Sequence, residues 1–152
     1  MAVEAGRTLL RAAAPGDLVA ASALLSGAKL PTDGFADRFG EGYVVAEQHG
    51  RLIGMAGIEV YGRFGLLRSV VVDSARRGTG VGVRLAEDRI AWAKRRQLSA
   101  IYLLTTTAAP FFAKLGFTEV PRSSAPAEIQ ASSEFSVVCP SSATCMRLAH
   151  RR

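Results

Sequence analysis

The chain has 152 residues, 49% of them hydrophobic, and a formal net charge of +6. That length suits one domain over residues 1–152, and the apolar fraction is enough to bury a core. No apolar run approaches the roughly 20 residues that a bilayer-spanning helix needs, and the basic residues are not interleaved with exposed aromatics as a nucleic-acid surface would require.

Residues 1–7 carry no basic segment followed by an apolar core, so they read as a flexible lead-in without a secretory signal. Leu9 to Ala13 predicts a first strand. Leu18, Ala21, Leu24 and Leu25 recur at helical spacing, with Gly27 placed to stop the helix. Pro31 to Gly42 is rich in glycine and polar residues. Its Phe35 and Phe39 stand four apart, so a short helix and a loop both fit.

Tyr43 to Glu47 and Leu52 to Val60 predict two strands joined at His49–Gly50, a hairpin. A loop over residues 61–65 leads into Leu66 to Val72, apolar at nearly every position, as a central strand covered on both faces would be. A long helix starts near Gly80, with Val81, Leu85, Ile90 and Trp92 on its apolar side. Ala100 to Thr105 is strand, and Thr107 to Leu115 a short helix with Thr107 as N-cap. Phe117 to Val120 is strand again. Pro121 to Pro140 is irregular apart from a helical piece near Ala127 to Ala131, and Ala143 to Leu148 closes the order. The fold class is α/β (α+β): a mixed sheet with helices packed on it.

Cys139 and Cys145 are the only cysteines. They make neither a disulfide framework nor a zinc pattern, so no metal site is expected. Reduced thiols in the cytoplasm are the simplest setting. The pair could hold trivalent arsenic if brought together, or simply pack in the core.

The most informative stretch runs from Val70 to Val83. A buried strand enters a loop with Gly78, Gly80 and Gly82 at alternate positions, and a helix follows. Glycines let the backbone approach a ligand closely. The helix start offers unpaired N–H groups and a partial positive charge that suit an anion, and Arg76 and Arg77 add formal charge. No Gly-Lys-Ser/Thr ends the loop, and the G-x-G-x-G spacing departs from the dinucleotide fingerprint.

Arg77 to Gly82 fits R-x-x-G-x-G and resembles motif A of the GNAT acetyltransferases. Phe111 to Phe117 resembles that family's second motif. The resemblance implies the GNAT fold, a mostly antiparallel sheet with a central splay, and acetyl-CoA as cosubstrate. It further implies that backbone groups of Val70, Val71 and Val72 hold the pantetheine arm, while Arg77, Gly78, Thr79, Gly80, Val81, Gly82 and Val83 hold the pyrophosphate and Phe112 lies beside the arm. Many relatives carry a tyrosine general acid where this chain has Phe112. The chain also has no asparagine, and Thr105 stands where a strand-end Asn is frequent. Thr105, Thr106, Thr107 or a water is left to serve the departing thiolate.

Transfer to an amine needs a group to take the ammonium proton. Glu59 is the candidate base, on a strand where many relatives place an acid; a surface glutamate on a hairpin is the alternative. Arg68 lies inside an apolar strand, where a lone charge is costly. It either pairs with Glu59 or binds a substrate anion. Tyr102 to Phe117 and Cys139 to Met146 look like the acetyltransferase domain of N-acetylglutamate synthases, and closer still like small amino-acid N-acetyltransferases associated with arsenic resistance. Both imply an acceptor with an α-amine and two anionic ends, such as glutamate, arsinothricin or phosphinothricin. Arg68, Ser69 and Thr106 are the expected acceptor contacts, with Arg122 a further cation. A protein N-terminal or lysine acetyltransferase and a non-catalytic acetyl-CoA-binding module are the alternatives, and a homodimer is left open.

Overall fold

Continuous burial marks the central strands. In Tyr43–Gln48 (β2) the first four side chains are buried on both faces, which is why the run is apolar without a break. A computed structural model of the chain describes residues 8–30, 35–76, 78–132, 135 and 142–149. The other strands are Leu9–Ala12 (β1), Arg51–Tyr61 (β3), Phe64–Val72 (β4), Ala100–Thr105 (β5), Thr118–Glu119 (β6) and Thr144–Ala149 (β7). The helices are Leu18–Gly27 (α1), Phe35–Arg38 (α2), Val81–Arg95 (α3), Ala109–Lys114 (α4) and Ala127–Gln130 (α5). The sheet has seven strands in the order β1-β2-β3-β4-β5-β7-β6. The β1/β2, β2/β3, β5/β7 and β6/β7 pairs are antiparallel, and β4/β5 is parallel.

The described residues fall into two compact units, drawn from Met1–Gly57 with Ser69–Arg89 and from Ile58–Arg68 with Ile90–Arg152. In the first, Ala21 and Leu25 of α1 and Phe35 of α2 pack with Tyr43, Val45, Met55 and Val71 on one face of the strands. Val81 and Leu85 of α3 pack with Val44, Ala46, Ile53 and Ala56 on the other. Phe35, Phe39 and Tyr43 form an aromatic cluster with centroids 5.2 to 5.6 Å apart. The Tyr43 ring lies so close over Gly57 that a Cβ there would collide with it. In the second unit, Leu66, Ala100, Tyr102, Ala125, Ile129, Phe135 and Cys145 make one cluster.

Several boundaries differ from the sequence reading, each for a local reason. The loop over 61–65 shrinks to the two-residue turn Gly62–Arg63, with Gly62 at φ 63°, so β4 begins at Phe64. Gly27 does not cap α1 from outside. It is the last helical residue, and Lys29 takes the left-handed conformation at φ 58° instead. Leu30 N–H then bonds Leu25 O at 2.9 Å and Lys29 N–H bonds Ser26 O at 3.1 Å, the paired bonds of a Schellman ending. Thr107 is not the N-cap of α4, because that helix starts at Ala109 behind Ala108. Thr105 Oγ1 accepts from Ala108 N–H at 3.0 Å and so satisfies the approach to the helix from further upstream. Cys139 and Arg77 lie outside the described residues.

Candidate functional site

The phosphate-type turn belongs to the first unit. After β4, Asp73 N–H bonds Ile53 O at 2.7 Å. Asp73 Oδ1 accepts from Ala75 N–H at 3.0 Å, turning the chain into a short 3₁₀ segment, Ser74–Arg76. Thr79 Oγ1 donates to Arg76 O and ties the turn across itself. Gly78 and Gly80 adopt φ 83° and 86°, the left-handed region where side chains are strained. A Cβ at either would meet nothing within 4 Å, so the turn presents bare backbone beneath open space. Gly82 serves differently, as the second residue of α3. The first backbone bond closing the helix is Arg84 N–H to Gly80 O at 3.1 Å, which leaves the N–H groups of Val81, Gly82 and Val83 as its unpaired first turn. Val81 itself is buried, and Val83 is partly exposed.

Leading into the turn, Val71 packs in the core under α1, while Val70 and Val72 pack on the α3 side. Because Asp73 turns its amide to β3, strand alternation turns the backbone groups of Val70 and Val72 to the opposite edge. The pairing of β4 with β5 covers only Phe64↔Ala100, Gly65↔Ile101 and Leu66↔Tyr102. The pairing ends there, while β4 runs on to Val72 and β5 to Thr105. At the break, Ser69 takes φ 60° in mid-strand, and its Oγ is buried without a hydrogen-bond partner among the described residues. This arrangement fits acetyl-CoA: a bare, open turn at a helix start for the anionic end, then an outward-turned strand edge for an amide-bearing arm.

In the second unit, Glu59 and Arg68 face each other as a buried ion pair. Arg68 Nη1 donates to Glu59 Oε2 at 3.1 Å, and both side chains are 1% exposed. Tyr61 OH donates to Glu59 Oε1 at 2.7 Å. Residues two apart on a strand share a face, so the Glu59–Val60–Tyr61 run already carried the signal that Tyr61 belongs to this group, and the sequence reading missed it. Of the two sequence alternatives for Glu59, the surface one is excluded by its burial. Of the two for Arg68, the Glu59 pairing is present.

The remaining expected residues are spread. Phe112 is buried, edge-on to Phe111 at 5.0 Å and to Phe117 at 5.8 Å. Thr106 is exposed just after β5. Arg122 Nη2 donates to Phe135 O at 2.6 Å and its guanidinium lies 5.5 Å from the Phe135 ring, so it holds Phe135. Cys145 is buried, and burial pushes its thiol up to about 11 with Arg122 opposing, which makes it a core thiol. Among the described residues no three His, Cys, Asp or Glu side chains gather as a metal site, and no helix is long and apolar enough to cross a membrane.

Residues 17–117 match the Acetyltransferase (GNAT) family. The chain belongs to the GNAT acetyltransferases. It is 32% identical over 82 residues to an amino-acid acetyltransferase of Mycobacterium tuberculosis, covering 53% of this chain and 47% of that one, so it spans about half the length of the curated relative it matches. N-acetylglutamate synthase of Neisseria gonorrhoeae, solved with coenzyme A and N-acetyl-glutamate, superposes at TM-score 0.83 with 18% identity, over 97% of this chain and 36% of that one. Rv2747 of Mycobacterium tuberculosis, solved with CoA and NLQ, superposes at TM-score 0.79 with 25% identity, over 94% and 99% of the two chains. This GNAT chain thus has an amino-acid acetyltransferase among its relatives.

Proposed function

We propose that this enzyme acetylates the α-amine of a small, glutamate-like amino acid: glutamate, or an antimetabolite such as arsinothricin or phosphinothricin. The observation that carries the reading is Arg68, a cation held deep in β4 by Glu59, on the strand whose next residues lead to the turn. A guanidinium fixed in one orientation supplies a set positive charge that complements a carboxylate or other oxyanion. The ligand of the Neisseria enzyme, N-acetyl-glutamate, is of the class this reading requires.

In this reading the Val81, Gly82 and Val83 amides and Arg77 hold the pyrophosphate, and Val70 and Val72 hold the arm. Acetyl-CoA supplies an activated acyl group as a thioester. Glu59 is the proposed proton acceptor. Each carboxylate oxygen has a second lone-pair site, so Glu59 can receive the acceptor ammonium while keeping Arg68 and Tyr61. Its ion pair favours a second role, as the positioning residue that orients Arg68, because protonating Glu59 would leave a buried guanidinium without its counter-charge. The two roles separate in Glu59→Gln. A base loses kcat at every pH, whereas a positioning residue chiefly raises the acceptor KM. Arsenic resistance, a cytoplasmic setting with reduced thiols and a homodimer are further parts of the proposal, the last read directly by light scattering.

The test is acetyl-CoA turnover, followed by thiol release, against glutamate, phosphinothricin, arsinothricin, other amino acids, polyamines and N-terminal peptides. A kcat/KM for one glutamate-like acceptor at least tenfold above the rest is expected. Preference for a peptide, or binding of CoA without any turnover, would overturn the reading in favour of a protein acceptor or a binding module.

A further inference from the structure

Ser69 combines two unfavourable features at one point of an otherwise regular strand. Its φ of 60° is left-handed, which a residue with a Cβ adopts only at a cost. Its Oγ is shut off from solvent and bonded to no described group, and a buried hydroxyl without a partner is destabilising. The hydroxyl makes no bond among the described residues that would hold the strand together. An alanine would fill the same space without a polar atom, and a glycine would take the same backbone without strain. Strain and unsatisfied polar groups persist where a ligand completes them.

The direction of the strand names that ligand, granted the reading above that acetyl-CoA binds here. The turn for the anionic end, Gly78 to Gly80, lies past the C-terminal end of β4. An arm laid back along Val72 and Val70 therefore brings its acyl end to Ser69. We propose that the Ser69 hydroxyl donates a hydrogen bond to the carbonyl oxygen of the acyl thioester, beside the Val70 amide, and is strongest when charge collects on that oxygen. The acceptor nitrogen uses its lone pair to form the C–N bond. The carbonyl π pair moves to the oxygen that Ser69 and the strand amide face, then returns as the C–S bond breaks. The thiolate leaves with that bond's electron pair and takes up the proton that the nitrogen then loses, the ammonium's first proton having gone to the base. Ser69 keeps its own proton throughout, so it acts as a donor and not as a nucleophile or acid. Its role is the preorganised stabilisation that other acyl-transfer sites build from paired donors.

Ser69→Ala and Ser69→Gly test this with a signature that a structural serine cannot give. Without ligand, Ser69→Ala should melt at or above the wild-type temperature, since it removes a buried polar atom that lacks a partner. Affinity for free CoA, which has no acyl carbonyl, should be unchanged by calorimetry. Turnover should fall roughly tenfold to a hundredfold, as when one of several oxyanion donors is lost, with the acceptor KM unaltered. Ser69→Gly should repeat the kinetic loss, so the result survives if one variant folds poorly. Wild-type kcat in both variants would overturn the proposal. So would a raised acceptor KM at unchanged kcat, which would assign the hydroxyl to the acceptor. Wild-type protein that fails to bind CoA would instead bring down the cofactor reading on which the proposal rests.

Discussion

The turn from Gly78 to Val83 and the Glu59–Arg68 pair solve opposite problems. The turn is exposed from Gly78 to Gly80, made of backbone, and open above those two glycines. The pair is closed, made of side chains, and its carboxylate already accepts from two donors. A site for a ligand common to a whole family can be built from main chain alone, which leaves neighbouring side chains free to vary. A site that chooses an acceptor needs fixed charges, and fixed charges in an apolar sheet must first be neutralised by one another. The first kind of site should therefore fail by steric filling and the second by unbalanced charge.

Gly80→Glu should show the largest effect. It places a carboxylate and a strained φ where an anion is to bind, and CoA affinity by calorimetry should fall roughly a thousandfold, about 4 kcal/mol, with the melting temperature lowered by only a few degrees. Glu59→Gln should act the other way round. It leaves Arg68 buried without its counter-charge and should destabilise the fold by about 3 kcal/mol in urea titration while CoA affinity survives. Adding Arg68→Met should recover much of that stability but not acceptor turnover, which separates the pair's structural share from its functional one.

Two further substitutions sharpen the contrast through stability. Gly57→Ala drives a methyl into the Tyr43 ring and should cost about 2 kcal/mol, read as a lower urea midpoint. Asp17→Asn should cost about 1 kcal/mol, because Arg11 donates to its carboxylate at 2.8 and 3.0 Å across a partly exposed surface. These bonds, with the Ala14 amide adding to them against burial, hold Asp17 below the ordinary value of 3.8. Its contribution is therefore full above that value and is lost as pH falls below it. An acid titration of stability should be shallower for Asp17→Asn. The smallest effect concerns Cys145: raised to about 11 by burial, it should resist alkylation at neutral pH until the protein unfolds, by peptide mapping after labelling.

Much of the fold was legible in the sequence because the pattern of burial is written in hydrophobic periodicity. Val81 and Leu85 of α3 are examples, whereas Ile90 and Trp92 are only half-buried and Arg89 and Ala93 take the inner positions. The turn was legible from glycine spacing set between a buried strand and a helix. What escaped was set by pairing across the chain. The hairpin at Gly62–Arg63 depends on how Phe64 joins the sheet, and the α4 start depends on Thr105 reaching Ala108. The Glu59–Arg68 contact was one of two open readings, since a strand sequence states facing but not partner. The left-handed Ser69 left no trace, because nothing in Arg68–Ser69–Val70 marks a break in the strand.

The most direct measurement is to incubate the enzyme with acetyl-CoA and, separately, glutamate and phosphinothricin, and to analyse the products by NMR. One acetyl group on the α-nitrogen, formed in step with free CoA, is the predicted result. CoA bound to the protein with neither amino acid acetylated would contradict it.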